Sequence, residues 1–420
     1  MIDMKKPLAV ALLFAAILPA ALSDDYAKFD PYERGLFKDP NVFPIGVWLQ
    51  RPLFAAEYKA LGINYYLGLH EGPTAEQMAL LRESGMRVIS FWNAYAEANL
   101  LADPLVVGWM HGDEPDLAHV YPRALLKGPT GKAIIKEHWP EIYEELDLDN
   151  KEYNGWGLGA HPINDIQKDY KRLREIDPTR PVLLQLSKAV ANKGLEVGRG
   201  DRSGKTWEYP LYIEGSDYVS FDIYPVAYGD PDKLYQVADG VAQLAEWGRG
   251  SRPQIVAIEA GFGDKAMADA SQQRAQIWMA INHGASGIFY FCHRWTGEGS
   301  EQKFYADNMP IRDKVLGEGI KKINAELQSL APVINSPRME NLVKVANAEI
   351  DLGARAHEGK TYLFAVERGN RESEAEFTVE GIKEGKVEVI GEGRNLILKD
   401  GKFSDKFTPF QTHLYKVSVN

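Results

Sequence analysis

Two stretches decide the fold of this 420-residue chain: Val106-Val107-Gly108-Trp109-Met110-His111-Gly112-Asp113-Glu114-Pro115-Asp116 and Gln254-Ile255-Val256-Ala257-Ile258-Glu259-Ala260-Gly261-Phe262-Gly263. Each opens as an apolar run without polar alternation, the pattern of a strand buried on both faces, and each ends in a carboxylate. Six further runs read the same way: Pro44 to Trp48, Ile63 to Gly68, Arg87 to Phe91, Pro181 to Leu186, Tyr218 to Asp222 and Gly287 to Phe291. Amphipathic segments separate them, among them Thr74 to Ser84 with a threonine cap and a glutamine three residues on, His161 to Ile176, Lys233 to Trp247, Ser271 to Asn282 and Ile311 to Leu330. Eight strand and helix units in succession predict a (β/α)8 TIM barrel.

Beyond Leu330 the period changes to two. Asn341 to Val345, Thr361 to Glu367, Ala375 to Val379, Lys386 to Ile390 and His413 to Val417 read as antiparallel strands, with turns at Gly391 and Gly393 and at Asp400 and Gly401. The expected layout is a signal peptide over 1–23, a barrel over 24–335 and a small C-terminal antiparallel β-sandwich over 336–420. The signal peptide is read from Lys5 and Lys6, the apolar stretch Leu8 to Leu18 and the small residues Ala20, Ala21 and Ser23. It predicts a secreted or periplasmic protein.

Composition narrows the partners. The formal net charge of −11 argues against nucleic acid and against an anionic membrane surface. One cysteine, Cys292, excludes an internal disulfide, and it sits in an apolar run that suits a buried thiol. The nine histidines fall into no metal-ligand spacing, so neither a metal nor another cofactor is expected. Two long connections, Asp116 to His161 and Ser187 to Gly215, leave the carboxyl ends of the fourth and fifth strands and are expected to rise over the active face.

Carboxylates at the carboxyl ends of barrel strands face the side where such folds keep their sites. Glu114 and Glu259, after the fourth and seventh strands, suit an acid and a nucleophile on either side of a glycosidic bond. The competing reading of each, taken alone, is a helix cap or a surface charge.

Asp113-Glu114-Pro115 and Ile258-Glu259-Ala260-Gly261-Phe262 resemble the two catalytic segments of retaining glycoside hydrolases of clan A, barrels with glutamates after strands four and seven. The resemblance spans roughly Pro44 to Leu330. It implies Glu114 as acid/base, Glu259 as nucleophile, Trp295 as the aromatic floor of the cleaved sugar's subsite, and an oligo- or polysaccharide substrate joined by β-linkages. Tyr224 is a candidate donor to the nucleophile; His293, Trp92, Asn93, Trp48 and His70 are candidate sugar contacts at other strand ends. Asp113 departs from the clan, which has asparagine there. That departure keeps open a substrate-assisted N-acetylhexosaminidase, in which Asp113 orients the acetamide, Glu114 is the acid and Glu259 has no catalytic part. A non-catalytic carbohydrate-binding barrel is the reading from another class. A monomer or small homo-oligomer is expected.

Overall fold

A computed structural model describes residues 30–117, 133, 136, 163–192, 206–261, 266–296, 303–305 and 308–419. The eight anticipated strands are present and close into one parallel barrel in sequence order. They are β1 (Ile45–Trp48), β2 (Tyr65–Leu67), β3 (Arg87–Phe91), β4 (Val106–Met110), β5 (Val182–Leu186), β6 (Tyr218–Phe221), β7 (Gln254–Glu259) and β8 (Gly287–Phe291). Closure is made by β1 against β8, with Gly46 opposite Phe289. Every residue of β4, β5, β7 and β8 is buried, which is why those runs carry no polar alternation.

Packing sorts the side chains by face. Leu184, Leu186, Val219, Phe221 and Val256 join Val237, Val241 and Leu244 of the helix Gln236–Trp247 in one cluster outside the barrel wall. Gly240 lets that helix close on β6, since a Cβ there would lie 2.2 Å from the Phe221 ring. Inside, a Cβ at Gly46 would meet the Tyr65 ring at 2.4 Å; the glycine leaves room for the Tyr65 hydroxyl to reach the Ile288 carbonyl at 3.0 Å. The helices Ala75–Ser84 and Ala270–His283 both begin with full capping boxes, Thr74 with Gln77 and Asp269 with Gln272, and both end at left-handed glycines, Gly85 and Gly284.

At the base of the barrel Arg180, fully buried, donates to the carbonyls of Val106 (2.7 Å), Leu101 (2.8 Å) and Asp103 (2.7 Å) and to Asp177 Oδ2 at 2.6 Å. Asp177 Oδ2 also accepts from the Trp109 indole at 2.9 Å. This network spends nearly all of the guanidinium's donors.

The chain divides into two compact units, one of them Pro44–Ala325 with Tyr32–Leu36 and the other including Phe37–Phe43 and Glu326 onward. That boundary falls inside the helix Lys314–Ser329, earlier than the expected 335–336. The C-terminal unit holds two antiparallel sheets. The three-stranded one runs in the order Val343–Val345, Ser373–Val379, Lys402–Phe407; the five-stranded one runs Ile350–His357, Lys360–Glu367, Thr412–Val419, Gly385–Val389, Arg394–Leu398. Phe377, stacked on Phe403 at 4.8 Å, and Tyr415 centre its core. Three of these strands, Ile350–His357, Arg394–Leu398 and Lys402–Phe407, are additional to those anticipated. Residues 1–23 lie outside the described residues, so the expected signal segment is not seen. Among the described residues no helix is long and apolar enough to cross a membrane.

Candidate active site

The mouth of the barrel is built around the turn after β4. Glu114 holds a left-handed backbone (φ 44°), a conformation that costs a non-glycine residue of order 1–3 kcal/mol and persists only where its surroundings impose it. They do so on both sides. His111, buried, bonds Asp169 through Nδ1 at 3.1 Å and the Gly215 carbonyl through Nε2 at 2.8 Å. Asp116, also buried, accepts from the Ser187 amide (2.9 Å), the Ser187 hydroxyl (2.7 Å) and the Tyr209 hydroxyl (3.0 Å). The segment between them is therefore fixed at both ends, with Asp113 exposed and Glu114 half-buried.

Asp222 closes the site from β6. Its carboxyl group shares hydrogen bonds with Tyr224 and with Glu114, and its pKa is raised, chiefly because burial penalises the charge. Burial, then the neighbouring Asp222, pushes the Tyr224 phenol well above its ordinary value, so Tyr224 is the donor to Asp222 throughout the working pH range. The Tyr224 ring lies 4.7 Å from Phe291 and 6.3 Å from Tyr228, and Phe291 lies 5.0 Å from the His293 ring, an aromatic row from the β6 end to the β8 end. Asp222 Oδ1 is buried and has no hydrogen-bond partner among the described residues; the same holds for Ser220 Oγ and Gln185 Oε1. Gln185 and Ser220 are register neighbours on β5 and β6, and Asp222 follows Ser220 on the same face.

Glu259 sits at the end of β7, beside Phe291 in register, but its carboxylate is 1% exposed and fully engaged. Oε2 accepts from the Ala227 amide at 2.7 Å, and Oε1 accepts from the Val226 amide at 3.2 Å and from Gln276 Nε2 at 3.1 Å. Gln273 Nε2 donates to the Glu259 carbonyl at 2.9 Å. Burial pushes the Glu259 pKa up to about 7 against the opposing effect of those donors. The expected nucleophile is thus turned into the junction between the β6 loop and the helix Ala270–His283. The Tyr224 hydroxyl has the Asp222 carboxyl group as a hydrogen-bond partner.

The other candidates separate by location. Trp48 is buried with its ring 5.3 Å from Phe289. Trp92 packs edge-on against Trp109 at 4.9 Å and lies under the Arg172 guanidinium at 5.6 Å, so it is held by the helical layer. Asn93 caps the helix Ala94–Asn99, accepting from the Ala96 amide at 2.8 Å and donating to the Pro73 carbonyl at 3.0 Å; its amide is spent on backbone. His70, partly exposed, lies 3.6 Å from Glu71. His293 is fully buried, bonded to Gln50 at 3.4 Å, and burial, with His70 next, brings it down to about 3, so the ring is neutral. Trp295 belongs to a short strand, Arg294–Thr296, paired with Lys303–Tyr305, with Phe304 opposite it; its side chain is outside the described residues, as is most of the two long connections. Cys292 is a buried free thiol. Among the described residues no three or more His, Cys, Asp or Glu gather as metal ligands.

Asp222 and Asp116 were missed as site residues. The signal for Asp222 was present: an acidic residue ends an apolar run two positions before Tyr224, in the segment that supplied Tyr224.

No family model matches this chain, and no curated protein matches it in sequence. Among solved structures it is similar to an alpha-amylase from Anoxybacillus, 9% identical with a TM-score of 0.53 over 91% of this chain and 98% of that one. It is similar also to an alpha-amylase from Geobacillus thermoleovorans complexed with acarbose, 12% identical, TM-score 0.50, over 90% and 98%. A putative alpha-galactosidase from Bacteroides fragilis aligns at 10% identity and a TM-score of 0.52, over 90% and 79%. At such identities the likeness is one of architecture: the chain has the TIM-barrel fold followed by antiparallel β-sheets that the clan A resemblance implies.

Proposed function

We propose that the protein is an exported glycoside hydrolase whose working carboxyl pair is Glu114 and Asp222. One observation carries this reading: the two groups share a hydrogen bond at the carboxyl-end mouth of the barrel, with Tyr224 donating to Asp222. Glycoside hydrolysis needs one carboxyl group protonated and one ionised at neutral pH, and a pair sharing a single proton is in that state. Glu114, on its strained turn and half-buried, is the donor to the leaving oxygen. Asp222, kept ionised by the Tyr224 hydroxyl and by the proton resting on Glu114, acts at the anomeric carbon. A retaining mechanism needs the two carboxyl groups about 5 to 5.5 Å apart and an inverting one roughly 6.5 to 9.5 Å, so the first-formed anomer decides between them. Tyr224, Phe291 and neutral His293 form a buried aromatic row behind the carboxyl pair and shield it from bulk water. The structural neighbours include proteins described as alpha-amylases and an alpha-galactosidase, so the screen must cover α- and β-linked substrates alike.

The substrate-assisted N-acetylhexosaminidase has one observation in its favour: the Glu259 carboxylate is occupied by three donors, which suits a scheme with no β7 nucleophile. The deciding experiment is a panel of aryl α- and β-glycosides, including N-acetylhexosaminides, with the first-formed anomer read by NMR. Asp222→Ala and Glu114→Ala should each lose at least 10³-fold in kcat/KM on the accepted substrate. Activity confined to N-acetylhexosaminides and insensitive to Asp222→Ala would move the assignment to Asp113 and Glu114.

A further inference from the structure

Glu259 has a role that neither an acid nor a nucleophile describes. Resting on the assignment of Asp222 and Tyr224 above, we propose that Glu259 is a positioning residue, whose carboxylate fixes the loop after β6 so that Tyr224 meets Asp222. The loop is a tight turn: the Tyr228 amide donates to the Tyr224 carbonyl at 3.0 Å, Gly229 to Val226 at 2.8 Å and Asp230 to Pro225 at 2.9 Å. Such a turn leaves its first amides without partners inside it, as the first turn of a helix does. The amides of Val226 and Ala227 are two of these, both buried, and Glu259 accepts from each. A carboxylate from a neighbouring strand thus does what a capping side chain does from its own.

The far side of the clamp is equally well defined. Gln276 and Gln273, both fully buried on the helix Ala270–His283, hold the Glu259 side chain and carbonyl, and the Asp269 capping box fixes the start of that helix. Force on the β6 loop is therefore carried through Glu259 to β7 and its helix, while Asp222 and Tyr224 lie only a few residues ahead of the clamped amides. Loss of the carboxylate leaves two buried amide donors unsatisfied, and the turn relieves that by moving. Movement of the turn displaces the Tyr224 hydroxyl from Asp222.

The test uses the full chain with Glu259→Ala and Glu259→Gln. The readouts are the titration of the Glu114 and Asp222 carboxyl groups by ¹³C NMR, kcat and KM on the accepted aryl glycoside, and product analysis with added azide. The alanine variant should shift the pair's titration by about one pH unit or more and lower kcat by about 10² to 10³-fold with little change in KM, with no glycosyl azide formed. The glutamine variant, whose amide oxygen still accepts from a backbone amide, should return both to within about tenfold of wild type. An unchanged pair titration in folded Glu259→Ala overturns the proposal, as does equal loss in both variants together with glycosyl azide from the alanine variant, the mark of a nucleophile. Should Glu259→Ala not fold, Gln276→Met removes one donor to the same carboxylate and must move the titration in the same direction. If wild type turns over no glycoside while the titration still moves in Glu259→Ala, the positioning role stands and the hydrolase reading falls.

Discussion

Replacing Glu259 by glutamine should remove a pH dependence of stability that burial of the carboxyl group imposes on the wild type. The carboxyl group goes from an ordinary value of 4.5 to about 7 in the folded protein. At about 1.4 kcal/mol per pH unit this is a differential of roughly 3 kcal/mol between the protonated and ionised forms. Because the folded value lies above the unfolded one, the folded state binds the extra proton: the contribution is fully present below about pH 4.5 and is lost as pH rises through about 7. Glutamine at 259 does not titrate. The stability of wild type relative to Glu259→Gln should therefore fall by about 3 kcal/mol between pH 4.5 and 8.5, the variant gaining on the wild type throughout. Urea unfolding followed by tryptophan fluorescence at several pH values, with the denaturant slope unchanged between the two proteins, measures this directly. A difference constant to within about 0.5 kcal/mol across that range would refute the argument and mean that the three donors offset desolvation.

Four more outcomes follow from particular contacts. Glu114→Gly should be more stable than Glu114→Ala by about 1 kcal/mol, since only the alanine keeps a Cβ at φ 44°; equal melting of the two would remove strain from the account of the β4 turn. Tyr224→Phe takes from Asp222 its phenolic donor and should raise the pH at which the carboxyl pair ionises, with kcat/KM falling about 10 to 100-fold; an unmoved pH profile argues against that bond. Asn93→Ala should cost about 1 kcal/mol in unfolding experiments and leave KM alone, because the side chain caps a helix; a raised KM would restore it as a sugar contact. Arg180→Met should cost about 3 to 5 kcal/mol by stripping Asp177 of its buried partner; a loss below 1 kcal/mol would mean that Trp109 and Thr179 suffice for Asp177.

The barrel was readable because strands buried on both faces leave mostly apolar runs, each of the eight carrying at most two polar residues. Capping chemistry was equally plain at Thr74. The C-terminal domain was read less completely. Ile350–His357 is buried at most of its positions without alternating, and its buried Arg355, 5.9 Å from the Phe364 ring and brought down to about 9 by burial, looks in sequence like a surface residue. The turns at Gly391, Gly393, Asp400 and Gly401 were anticipated, yet the strands beside them are rich in charge because one face is in water. At the site, sequence located Glu114, Tyr224 and Glu259 but not the Asp222 carboxyl group that meets Tyr224. Strand-end position tells that a carboxylate is near the mouth; it does not tell which way the side chain turns. For Glu259 that direction is decided by two amides of another loop and a glutamine of the following helix, contacts that no local pattern encodes.

The unmatched oxygens of Gln185, Ser220 and Asp222 have a meaning for how this barrel can be altered. A buried acceptor or hydroxyl with no partner costs of order 1–3 kcal/mol, and three that have none among the described residues share one face of two adjacent strands. An apolar substitution at Gln185 or Ser220 that preserved volume should therefore raise the melting temperature, and selection for thermal resistance alone would find these positions early. A barrel hardened in this way would lose the hydrogen-bonding capacity beneath its carboxyl pair. The polar wall under Asp222 is where this protein's durability and its chemistry compete for the same residues.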